Sequence, residues 1–269
     1  MSYTSVMVAV DPGEPARERV RLAAHVADDF QARLIGLAAE RPAYEPAPAG
    51  PTPGGGYCIA SVQEAALNDL RLAHAAFKEA VGGRSRVEWR STLACPSAFL
   101  AAQSAAGDLL VTGRGDVGGP LTSIDPGDAV MRLGLPVLVV PPKVEHLEAR
   151  RVAVAWKNTR EARRAVRDAL PFLKRASRVV LISIDDGKGD DDARDLIGLL
   201  QSHDVDATAV QRDAYGASTA EALVEAASEQ AADLIVAGGY GHGRLREWAF
   251  GGVTRDLLAD CPVCCLMSH

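Results

Sequence analysis

The chain has 269 residues, 48% of them hydrophobic and 24% charged, the balance of a folded globular protein. Its 35 acids outnumber its 29 lysines and arginines, and the net charge of −6 argues against nucleic acid or an anionic membrane as partner. No apolar run approaches the ~18 residues of a membrane span. "MSYTSVMVAVDPGE" lacks the basic start of a secretory signal. Five cysteines, an odd number partly inside an apolar run, are no disulfide framework. They fit a reducing, cytoplasmic compartment.

In chain order, "VMVAV" (6–10) is an apolar run that ends in Asp11, and "PARERV" follows it. "RPAYEPAPAGPTPGGGY" (41–57) is a Pro/Gly-rich loop. "DLLVTG" (108–113) and "LPVLVV" (135–140) are the next apolar runs. Then the series begins again. "RVAVAW" is a short apolar run, and "REARRAVRDALPFLK" has apolar positions at helical spacing. "RVVLISI" is nearly continuous, "ARDLIGLLQSH" is helical, "ATAVQRD" alternates and "TAEALVEAASEQ" is helical. "DLIVAG" and "PVCCLM" read as two last strands.

The repetition is quantitative. "VMVAVDPGEPARERV" (6–20) aligns with "VAVAWKNTREARRAV" (152–166) at an offset of 146. "DLLVTG" aligns with "DLIVAG" (233–238) at 125, and "LPVLVV" with "CPVCCL" (261–266) at 126. The fall in offset places about 21 extra residues in the first half, where the loop 41–57 has no later counterpart. The pattern predicts two tandem domains, 1–143 and 150–269. Near-continuous Val/Ile/Leu runs between amphipathic helices indicate parallel strands covered on both faces. Each half is expected to be an α/β doubly wound domain with a five-stranded parallel sheet.

"GGYGHGRLREWAFGG" (238–252) concentrates the chemistry. Gly238 ends the fourth strand of the second half, at the carboxyl edge where such sheets bind ligands. A helix is expected to start near Gly251–Thr254, and its free N–H groups and positive dipole end suit phosphate. Two readings stand side by side: a tight turn, or an anion cradle of Gly241, Gly251, Gly252, Val253 and Thr254. Arg244 and Arg246 are either phosphate partners or a solvated face, with Leu245, Trp248 and Phe250 packed inward. His242 is read as a surface-loop residue.

The spacing Gly238, two residues, Gly241, nine residues, Gly251 resembles the nucleotide-binding signature of the universal stress protein family. Gly252 stands where that family has Ser or Thr. The repeat length and the "PV" before each terminal strand resemble it as well. The resemblance implies a universal stress protein-like, adenine nucleotide alpha hydrolase-like fold in tandem, with ATP as a candidate ligand. It places ribose and adenine near Ala237, Gly238 and Ile184. The family's aspartate after its first strand falls on Asp11 in the first half and on Lys157, preceded by Trp156, in the second. Trp156 either stacks on a base or fills the pocket. In the first half the glycine positions hold Gly113, Asp116 and Asp125, followed by Pro126, so two carboxylates are expected to face any phosphate.

Other signals carry less. "GRGDVG" (113–118) runs into Gly-Pro rather than a helix. "CPVC" (261–264) lies at a terminal strand rather than at a helix start. The six histidines have no metal-ligand spacing, and no nucleophile–base pair is evident. The resemblance implies a stress-response module that senses a small phosphate-bearing ligand or protects, with a slow ATPase or a non-binding dimer scaffold as alternatives. The apolar terminal strands are expected to pair the two halves as an intramolecular pseudo-dimer, because an exposed apolar edge invites pairing. Association of two chains through the remaining apolar surface is a further expectation.

Overall fold

The computed structural model describes residues 2–42, 55–114, 124–185, 193–214, 216–240 and 252–269. The first half runs β1 (Ser5–Ala9), α1 (Glu14–Asp29), β2 (Arg33–Glu40), α2 (Gly55–Val81), β3 (Val87–Leu93), α3 (Pro96–Gln103), β4 (Leu109–Gly113), α4 (Pro126–Arg132) and β5 (Val137–Val140). The second half repeats the series: β6 (Arg151–Ala155), α5 (Arg160–Leu173), β7 (Arg178–Asp185), α6 (Arg194–Gln201), β8 (Ala207–Asp213), α7 (Thr219–Glu229), β9 (Leu234–Gly238), α8 (Gly252–Asp260) and β10 (Cys264–Ser268). The extra length of the first half is partly helical. α2 starts at Gly55, inside the segment expected to be loop, and residues 43–54 lie outside the described set.

The two five-stranded sheets join through their terminal strands, as expected, into one ten-stranded sheet. The strand order is β3-β2-β1-β4-β5-β10-β9-β6-β7-β8. Each half is parallel within itself, and β5 meets β10 antiparallel with Leu138 opposite Leu266. The apolar terminal strands thus close each other's edges. Tyr3 adds a bridge from the first half to the second. Its hydroxyl donates to the carbonyl of Asp168 (2.6 Å), and its ring packs edge-on against Phe30 and Phe172.

Alternation along each strand divides the core into two layers. Val6, Val8, Val152, Val154 and Trp156 share one layer with α1, α2, α5 and α6, whereas Met7, Ala153, Ile235 and Met267 share the other with α3, α4, α7 and α8. The helices begin where their sequences provide caps. Thr159 accepts from Ala162 N at the start of α5, and Ser218 with Glu221 forms a reciprocal capping box on α7. Three of the cysteines, Cys261, Cys264 and Cys265, are buried core residues. Among the described residues, no helix is long and apolar enough to cross a membrane, and no cluster of His, Cys, Asp or Glu is arranged to hold a metal ion.

Candidate functional site

In each half the strand order reverses beside the first strand, between β1 and β4 and between β6 and β9. Sheets of this kind open a crevice at the carboxyl ends of such strands. In the first half it is a cleft of about 580 Å³. Val10 and Asp11 line it after β1, Thr112, Gly113 and Arg114 at the end of β4, and Glu40 at the end of β2.

Its two guanidinium groups are already occupied. Arg19 comes from α1, donates from Nε to the carbonyl of Ala9 (2.8 Å) and pairs with Asp11. Asp11 also accepts from Gly13 N (3.0 Å), so the acid that the sequence pointed to is tied into its own turn. Arg114 reaches across to the second half and donates to the carbonyls of Ala259 (2.9 Å) and Cys261 at the C-terminal end of α8. A cation there complements the negative end of the helix. Arg114→Ala is expected to cost about 1–2 kcal/mol, seen as a thermal midpoint lowered by a few degrees.

Asp125, expected to face any phosphate, is exposed but engaged by its own helix. It is the N-cap of α4 and accepts from Gly127 N (2.7 Å) and Asp128 N (3.1 Å). The N–H groups that would hold an anion are therefore satisfied by the protein's own carboxylate. Tyr240 of the second half closes over the same helix, and a Cβ at Gly127 would overlap its hydroxyl. Burial, then Asp125 and Asp128, push the Tyr240 hydroxyl up to about 12. Asp116 lies outside the described residues.

In the second half, Trp156 and Lys157 follow β6, Ile184 sits near the end of β7, and Ala237 and Gly238 end β9. Gly252, Val253 and Thr254 form the first turn of α8. The fold brings these to one edge. Ala237 is buried, Ile184 and Val253 are half-buried, and Gly252 and Lys157 are exposed. Thr254 is 6% exposed, and its hydroxyl accepts from Tyr240 N (3.2 Å). Trp156 is also 6% exposed, sits in the α5 layer of the core, and its indole Nε1 has no partner among the described residues. Gly241, Gly251, His242, Arg244 and Arg246 lie outside the described residues.

The universal stress protein family model matches residues 148–269. The match falls on the second half of the chain. Solved structures share the whole fold. A universal stress protein from Archaeoglobus fulgidus DSM 4304 has a TM-score of 0.71 at 15% identity, covering 98% of this chain and 95% of that one. A functionally unknown protein from Pseudomonas aeruginosa PAO1 has a TM-score of 0.58 at 17% identity, covering 99% and 92%. A universal stress protein from Archaeoglobus fulgidus solved in complex with dAMP covers 52% of this chain and 98% of its own, at 19% identity and a TM-score of 0.34. Comparison with curated proteins returned no match.

The alignment of the two halves missed Glu40, Asp69, Arg19 and Arg114, which shape the first cleft. One signal was available: "RLIGLAAE" is an apolar run that closes on an acid at the carboxyl edge of its strand.

Proposed function

We propose that this chain acts as a universal stress protein, a cytoplasmic stress-response module that senses, or protects by holding, a small phosphate-bearing ligand in its second half, with ATP as the candidate. The ligand phosphates would meet Gly241, Gly251, Gly252, Val253 and Thr254, and its nucleoside would meet Trp156, Lys157, Ile184, Ala237 and Gly238. The observation that supports this reading is the inequality of the two helix starts. α4 is capped by Asp125 and closed to anions, whereas α8 opens on the exposed Gly252 in the half that matches the family.

Lys157 stands where the first half has Asp11, and an ammonium has no acceptor for a ribose hydroxyl or an adenine amine. A lost charge-assisted hydrogen bond is worth about 1.5–3 kcal/mol, so affinity should be modest, with Kd on the order of ten micromolar or poorer. Affinity should also follow the phosphates. Titrating ATP, GTP and inorganic triphosphate while following tryptophan fluorescence is expected to give affinities within a few-fold of one another. Lys157→Asp is expected to shift the preference toward ATP. Submicromolar, adenine-selective binding by the wild type that weakens in Lys157→Asp would overturn the reading. No response to any of the three at millimolar concentration would leave the scaffold reading, which the continuous ten-stranded sheet favours. Phosphate release would identify a slow ATPase.

A further inference from the structure

The cleft of the first half carries its own chemistry. Glu40 ends β2 and is 8% exposed, and among the described residues its carboxylate has no hydrogen-bond or ionic partner. Asp69, half-buried on α2, lines the same cleft. Acids are seldom buried without a partner, because desolvating a charge is costly unless an opposite charge or donor offsets it. Arg19 and Arg114 do not serve. The first is held by Asp11 and the Ala9 carbonyl, the second by the end of α8. Burial, then the charges of Asp69 and Asp11, push the Glu40 carboxyl up to about 7. The cleft therefore presents two uncompensated acids and no uncommitted cation among its described residues.

We propose that this cleft binds a small organic cation, an extended aliphatic amine of the polyamine class, with one ammonium between Glu40 and Asp69 and its methylenes along the apolar wall. Val10, Ala39, Ile124 and Pro141 supply that wall. An ammonium brings three donors and a full charge to carboxylates that have neither. A volume of about 580 Å³ is in the range that holds a small organic ligand. A phosphate ligand is disfavoured by the same acids and by the closed start of α4. A single metal ion is disfavoured because, among the described residues, no group of three or more His, Cys, Asp or Glu is arranged to hold one.

The test is calorimetric titration of spermidine into the full chain at pH 8 and low salt, with Glu40→Gln and Asp69→Asn alongside. Saturable binding of one spermidine per chain is expected, at least tenfold weaker in Glu40→Gln and several-fold weaker in Asp69→Asn. ATP is expected not to displace it, since the phosphate reading concerns the other half. Circular dichroism checks that each variant folds, and Asp69→Asn, on a partly exposed helix face, decides the matter if Glu40→Gln does not fold. No saturable heat from the wild type, or equal affinity in wild type and folded variants, would overturn the proposal. So would an equal response to magnesium chloride, which would reduce the effect to screening of an acidic surface.

Discussion

Gly238→Ala is expected to lower stability by about 3 kcal/mol, near the upper end of the cost of overpacking a core. Replacing Gly by Ala normally restrains the unfolded chain and stabilises by about 0.4–1 kcal/mol where the backbone permits. Here space, not backbone conformation, decides. A Cβ at Gly238 would lie 2.5 Å from the backbone nitrogen of Ala162 and 2.6 Å from the backbone carbon of Glu161. Both belong to the first turn of α5, which Thr159 caps. That helix sits close because its inner face carries Ala162, Ala165 and Ala169. It cannot retreat without opening a void in a close-packed layer.

The equivalent residue in the first half is Gly113, and its neighbour differs. There the nearest atom is the end of the Arg19 side chain, which can move at the cost of its pair with Asp11. Gly113→Ala is therefore expected to cost less, about 1–2 kcal/mol. In thermal unfolding, about 3 kcal/mol corresponds to a midpoint lower by roughly 5–10 °C for a chain of this size. Equal midpoints for the two variants would mean that α5 yields, and that Gly238 is not fixed by packing.

The repeat, the strand series and the pairing of the terminal strands were legible because each is written in local hydrophobic pattern. What a given residue touches was not. Gly238 reads as a ligand glycine in one dimension, but the helix that demands its bareness begins 78 residues earlier, at Arg160. Asp125 reads by alignment as a charge facing phosphate. Its own context, "DPGD", already carried the better reading, since an acid followed by proline is the signature of a helix N-cap. Trp156 left two readings open, and its place in the α5 layer follows from strand alternation beyond Val152 and Val154. The Glu40 cleft was out of reach for another reason. It is made by β1, β2, β4, α1 and α2 together, and no window of the chain holds more than a fraction of it.

Glu40→Gln is expected to stabilise the protein at alkaline pH, and the size of the gain should track pH. Burial and the neighbouring acids raise the carboxyl to about 7 in the folded protein, from an ordinary 4.5. The folded state thus holds this proton more tightly than the unfolded chain does. The stability that Glu40 permits is fully present below about 4.5 and is lost as pH rises through about 7. A gap of about 2.5 units corresponds to roughly 3 kcal/mol at pH 8 and above. Gln keeps the shape and carries no charge to desolvate. The variant should therefore match the wild type within about 1 kcal/mol at pH 5 and exceed it by roughly 3 kcal/mol at pH 8. At pH 8 that is a midpoint higher by about 5 °C or more. Paired melting curves across this range measure it, and taking the difference between variant and wild type cancels every other titrating group that the substitution leaves alone. Asp69→Asn should reproduce part of the gain, since it removes the charge that most disfavours an ionised Glu40. A difference that stays flat from pH 5 to pH 8 would mean that the Glu40 carboxylate is already satisfied by solvent, and that the first cleft has no unmet charge to offer a ligand.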